Sequence, residues 1–210
     1  MGVLRTSIDL FLHIDVHLQA VIARFGPLTY ALLFLIIFCE TGLVVLPFLP
    51  GDSLLFAAGA FAARGSFSIG MLIPLIIAAA VCGDSTNYVI GAFVGPHFFL
   101  RWKLLKQQHL DRAHAFFEKY GRKAQILARF MPIIRTIAPF TAGIARMTYP
   151  RFLANSILGG VLWVSLFTLA GYFFGNIPAV EHNFSLVILA VIILSILPAV
   201  VEYARHRGRG

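Results

Sequence analysis

The sequence is short of charge. Asp, Glu, Lys and Arg make up 12% of its 210 residues, against about 25% in an ordinary soluble domain. So few charges cannot clothe a surface in water, and a soluble globular protein is excluded. Hydrophobic residues make up 59% and the mean hydropathy is +0.86. Cysteine is scarce too: Cys39 and Cys82, both in apolar surroundings, supply neither a disulfide framework nor a metal set. The seven histidines show no metal-ligand spacing, so no metal and no cofactor is expected. The N-terminus lacks the uninterrupted apolar core of a secretory signal, because Asp9, His13, Asp15 and His17 break it. Acids are the scarcest charge of all, nine against seventeen Lys and Arg, for a net charge of +8. Three of the nine, Glu40, Asp52 and Asp84, stand inside or beside apolar runs.

What is present is apolar sequence in four stretches: 27–63, 69–100, 124–145 and 152–203. A full crossing needs about 20 apolar residues. The last stretch divides at Gly175-Asn176-Ile177-Pro178 into two spans, 152–175 and 184–203. The second holds one span over 69–95, ending near Gly95-Pro96. The other two are interrupted. Leu46-Pro47-Phe48-Leu49-Pro50-Gly51-Asp52 breaks the first, and its remainder, Ser53 to Ala63, is too short to cross. Pro132 and Pro139 break the third, beside Arg129 and Arg135. Irregular backbone at membrane depth is tolerated only where protein or a watery cavity surrounds it, so both interrupted stretches read as re-entrant. Residues 7–25, with apolar positions at helical spacing, read as an interfacial amphipathic helix.

The basic residues test this topology. Seven Lys and Arg lie between Arg101 and Lys123, Arg146 and Arg151 flank the next turn, and Arg205, Arg207 and Arg209 end the chain. If 124–145 dips in and returns, all three clusters share one face, as the cytoplasmic face requires. Residues 103–121 then form a cytoplasmic helix lying on the bilayer and touching anionic lipid rather than nucleic acid.

A repeat supports the same picture. Ala58-Gly59 recurs as Ala142-Gly143, and Tyr88-x-x-Gly91 as Tyr172-x-x-Gly175, both at an offset of 84 residues. One crossing separates the two interrupted segments, so the copies enter from opposite faces. Inverted repeats with broken helices meeting near the midplane are a transporter design. The expected fold is an all-α membrane protein: an inverted repeat (halves 40–95 and 124–175) with two facing re-entrant broken helices, three to four full transmembrane helices and interfacial helices. Its divisions are an N-terminal helix (1–25), one transmembrane domain (26–203) and a basic tail (204–210).

An ionised side chain at the centre of a membrane helix costs about 2.5–3.5 kcal/mol on insertion scales. Glu40, Asp52, Arg129 and Arg135 therefore need a reason to be there. If the copies face each other, Arg135 falls opposite the Pro50–Asp52 region and the four share a pocket. They are then either structural ion pairs or a site. As a site, the arginines suit a phosphate, since their planar forks stay charged in a low-dielectric cavity. A carboxyl taken out of water favours its neutral form, which makes Glu40 and Asp52 candidates for proton coupling. Asp84, with Asn87 and Tyr88, forms a second polar knot in mid-span. It reads equally as cross-helix hydrogen bonding or as part of the site.

With Glu40, Leu46-Pro47-Phe48-Leu49-Pro50-Gly51-Asp52, Gly83-Asp84-x-x-Asn87-Tyr88-x-x-Gly91 and Arg129-Phe130-Met131-Pro132-x-x-Arg135-Thr136…Ala142-Gly143 in hand, the chain resembles the DedA family, the bacterial branch of proteins with a VTT (SNARE-associated) domain. The resemblance covers residues 25–203. It implies an inner-membrane protein with paired re-entrant helices, and a role like that of members implicated in returning undecaprenyl phosphate across the membrane on the proton motive force. Eukaryotic relatives scramble phospholipids. The family's essential acids match Glu40 and Asp52, and its arginine pair matches Arg129 and Arg135. Asp52 after Pro-Gly, where some members have Glu, keeps the charge and shortens the reach.

The leading expectation is thus a transporter moving an anionic lipid phosphate between leaflets, with protons and the bilayer as its other partners. A proton-coupled small-ion antiporter and a structural protein with internal ion pairs are the alternatives. Enzymatic activity is not expected, because a lipid phosphatase needs a His nucleophile clustered with basic and acidic partners, and none is grouped on the membrane face. Oligomeric state stays open, with room for a homo-oligomer.

Overall fold

The computed structural model describes residues 14–43, 51–101, 128–145, 147–178, 180, 186–187 and 189–191. The Leu46–Pro50 break, the surface helix 103–121, most of the 184–203 span and the basic tail lie outside the described residues. Every element among the described residues is a helix: α1 (Ile14–Phe25), α2 (Leu28–Gly42), α3 (Gly51–Ala63), α4 (Ile69–Arg101), α5 (Pro132–Ile144) and α6 (Tyr149–Phe174).

Local chemistry sets several of the ends. Gly26 (φ 52°) terminates α1, its N–H donating to the Ile22 carbonyl at 2.8 Å. Gly65 (φ 83°) closes α3, and Ser66 N–H reaches back to the Phe61 carbonyl at 3.0 Å. That six-to-one closure satisfies a carbonyl the helix leaves open, and it uses the left-handed backbone glycine adopts without strain. Pro132 opens α5, where a missing N–H costs nothing.

The expected span over 69–95 appears as Ile69–Phe93, and the α4 helix that carries it continues past Gly95-Pro96 to Arg101. One sequence expectation needs correction: Pro139 does not interrupt its segment, since α5 is continuous through it. A proline removes one backbone bond and strains one turn, and helices in apolar surroundings absorb this where neighbours re-satisfy the freed groups.

Among the described residues, two helices are long and apolar enough to cross a membrane, Ile69–Phe93 and Tyr149–Phe174. At 26 residues, α6 measures about 39 Å, enough for a hydrocarbon core of about 30 Å with tilt. Its faces divide in an order that water would not permit. Ile157, Leu158, Val161, Leu162 and Leu166 are exposed, whereas Ser156 and Thr168 are buried with Phe152, Trp163 and Val164. Apolar residues outside and polar ones inside suit lipid as the solvent.

The chain divides into two compact units. One comprises residues up to Leu35, Leu49–Ile76 and the chain from Val164 on; the other comprises Ile36–Phe48 and Ile77–Trp163. In the first unit α1 packs on α3, which is buried from Gly51 to Ala62. The α3 helix meets the end of α6 backbone to backbone. A Cβ on Gly59 would collide with the Thr168 carbonyl and crowd Tyr172 N, and one on Gly171 would collide with the Phe56 carbonyl. In the second unit α5 meets α4 in the same manner. A Cβ on Gly143 would collide with the Tyr88 carbonyl and crowd Ala92 N, and one on Gly91 would collide with the Phe140 carbonyl. The contacts correspond pair by pair. The short helices match at the offset of 84 residues (56 to 140, 59 to 143), but the long helices match at 80 (88 to 168, 91 to 171, 92 to 172). The shared Tyr-x-x-Gly spelling thus misses the contacting register by about one helical turn.

Candidate functional site

Four of the buried charges, Glu40, Asp84, Arg129 and Arg135, lie in the second unit, around the place where α2 ends. There α2 crosses α4 with glycine on both sides: a Cβ on Gly42 would stand 3.2 Å from Gly83 Cα, and one on Gly83 would collide with Thr41 Oγ1. This close approach sets Glu40 on α2 and Asp84 on α4 beside the crossing.

Both acids hold an arginine. Arg135, in the first turn of α5, donates through Nη2 to Glu40 Oε1. Arg129, in the stretch leading into α5, donates through Nη1 to Asp84 Oδ2. Ser156 of α6 donates to the same oxygen at 2.5 Å. All five residues are buried: Glu40 and Ser156 at 0% exposure, Asp84 at 1%, Arg129 at 4% and Arg135 at 5%. The two pairs share an aromatic wall. Trp163, fully buried, has the Arg135 guanidinium 4.6 Å and the Arg129 guanidinium 5.7 Å from its ring centroid, within reach of a cation–π contact. Two charged forks thus both lie against one indole. Net charge within the cluster is zero, as burial demands.

Asn87 ties the first pair together. Its amide donates to the Thr41 carbonyl at 3.2 Å and the Thr136 carbonyl at 2.8 Å, the residues next to Glu40 and Arg135. A last-turn carbonyl has no intrahelical donor, so Asn87 both caps α2 and clamps α5 to it. Tyr88 donates to the Met147 carbonyl and lies against Phe152, with centroids 4.5 Å apart. Tyr149 donates to Ser85 at 3.2 Å. The order of contacts, Tyr88 on Phe152 and Asp84 on Ser156, makes α4 and α6 antiparallel here.

The structure pairs Arg135 with Glu40, and it pairs Arg129 with Asp84, which the sequence left as a separate knot. Asp52 is buried at the start of α3 in the first unit. Ser156, Gly160 and Trp163 were not singled out from the sequence. Their signal was a stripe of small, polar and indole side chains at helical spacing in an otherwise apolar span.

Comparison with known proteins places the chain firmly. A family described as the VTT domain matches residues 49–173. The protein DedA of Escherichia coli is 51% identical over 99% of this chain and 96% of its own length. An uncharacterized membrane protein of Mycobacterium tuberculosis is 46% identical over 88% of this chain and 83% of its own. The inner membrane protein YqjA of Escherichia coli is 36% identical over 71% of this chain and 69% of its own. No solved structure matches the chain.

Proposed function

The chain belongs to the DedA family of VTT-domain membrane proteins, and we propose that it moves an anionic lipid phosphate between leaflets of the bacterial inner membrane, coupled to protons. The observation that carries this reading is the pair of buried guanidiniums over Trp163. Each is balanced by a carboxylate that a phosphate could replace. Arg129 and Arg135 would hold the headgroup as forked donors. Glu40 would give up Arg135 when protonated, and Asp52 would serve as a further proton carrier. Asn87 and Tyr88 would hold the surrounding helices. No bond of the lipid is made or broken.

The reading treats α3 and α5 as the re-entrant helices of an inverted repeat. Their matching glycine contacts with α6 and α4 support it. Residues 101–123 and the C-terminus would lie on the cytoplasmic side, as their basic charge favours.

Reconstitution tests the proposal. In liposomes carrying a fluorescent polyprenyl phosphate, wild-type protein should speed leaflet exchange, a pH gradient should raise the rate, and Arg135→Ala should abolish it. Absence of exchange with the wild type would overturn the lipid reading. Ion-dependent proton flux in its place would favour an antiporter.

A further inference from the structure

Asp84 and Arg129 are paired through a small part of their capacity. Asp84 Oδ2 accepts from both Arg129 Nη1 and Ser156 Oγ. Its second oxygen, Oδ1, is buried and meets no donor among the described residues. Arg129 Nε and Nη2 are buried too and meet no acceptor among them. A pair built only to lock two helices would use the bidentate fork that Arg and carboxylate form readily, because each buried polar atom left over costs stability. Here one oxygen of the acid is doubly engaged and the other is open, while two nitrogens of the arginine wait beside it. On the Nη2 side stands Gly160, where even a Cβ would come no closer than 3.6 Å, so position 160 puts no side chain against that nitrogen.

Resting on the lipid-phosphate reading above, we infer that Asp84 is a second proton-exchange residue: protonation at Oδ1 releases Arg129 to the anion. The proton, drawn from the acidic side of the membrane, cancels the carboxylate charge. The Ser156 hydrogen bond to Oδ2 stays in place and holds the neutral acid still. Arg129 does not deprotonate, so its charge must be met by the incoming phosphate, to which it offers Nε and Nη2 as well as Nη1. When the anion leaves, Asp84 loses the proton and takes back Nη1. The charged group facing Asp84 is Arg129, from the stretch before α5, and Ser156 faces it from α6. Glu40 of α2 and Arg135 of α5 form the neighbouring pair, joined to this one through Trp163. Each arginine then has its own proton-operated acid.

Infrared difference spectroscopy of the purified full-length protein in lipid nanodiscs, between neutral and acid pH, reads the proton without any transported lipid. Acidification should raise the C=O stretch of a neutral carboxyl. Asp84→Asn should lose one component of that band, and Asp84→Glu, which keeps the charge, should shift its position. An acid-induced band identical in wild type and Asp84→Glu would overturn the assignment, even if Asp84→Asn failed to fold. In liposomes, Asp84→Asn should lower the slope of log exchange rate on pH by about one proton; an unchanged slope would likewise overturn it. If the infrared pattern appears but wild type exchanges no lipid, the lipid reading fails and the Asp84 assignment stands. If lipid moves and neither readout responds to Asp84, the reverse holds.

Discussion

Asn87 shows how much a single uncharged side chain contributes in this site. Its amide spans two helices through backbone carbonyls that flank Glu40 and Arg135. Replacing it with alanine removes the donor of the Thr41 carbonyl, in the last turn of α2, in a buried place. A buried group without its partner costs about 1–3 kcal/mol, so Asn87→Ala should lower stability by about that amount, measured as the midpoint of denaturation in detergent. The Glu40–Arg135 pair should loosen with it. Asn87→Asp should be worse, because it loses the donor and adds a charge beside Glu40. The identity of these residues was legible in the sequence because ionisable and amide groups are rare in membrane spans. Their pairing was not. Asp84 and Arg129 are 45 positions apart, and only helix packing decides which acid meets which arginine. Ser156 stayed hidden for a related reason, since a lone serine in an apolar helix usually bonds its own backbone.

At the scale of elements, the decisive features are places where helices touch backbone to backbone. Gly91 against Phe140, and Gly143 against Tyr88, hold α5 on α4, and Gly59 and Gly171 do the same for α3 and α6. Gly143→Ala should therefore force the helices apart and destabilise the protein by about 1–3 kcal/mol, seen as a lower unfolding midpoint and weaker exchange. Gly160→Ala is the contrast. Its Cβ would make ordinary contacts of 3.6 to 3.8 Å with Arg129 and Val81, and alanine favours a helix over glycine by up to about 1 kcal/mol. Stability there should hold or rise. Equal losses in the two variants would mean that the contacts at Gly143 are not tight. The glycines were visible in the sequence, but Tyr-x-x-Gly fixed the wrong register for the long helices, because sequence spelling does not encode which turn faces the neighbour. Proline also reads too strongly from sequence: Pro139 and Pro96 sit inside continuous helices.

For the whole molecule, the open matter is which side of the membrane each turn faces. In the first unit Arg64 Nε, just after α3, donates to Asn176 Oδ1, just after α6, at 2.6 Å, and Asn176 Nδ2 reaches the Ala60 carbonyl at 3.5 Å. The turn into α4 and the end of α6 are therefore at one level. If α4 carries the chain from there to the basic segment after Arg101, the positive-inside bias puts that level on the periplasmic side. Thr148, just before α6, then lies on the cytoplasmic side, with Arg151. Ser66 and Thr148 are both exposed and stand at these two levels. With Cys39 and Cys82 replaced by alanine, Ser66→Cys should react in intact cells with a maleimide too polar to cross the inner membrane. Thr148→Cys should react only after that membrane is opened. The opposite pattern would invert the orientation while leaving α4 and α6 as crossings. Labelling of both positions from outside would mean that α6 does not cross, because Ser66 stands at the level of one end of α6 and Thr148 at the other.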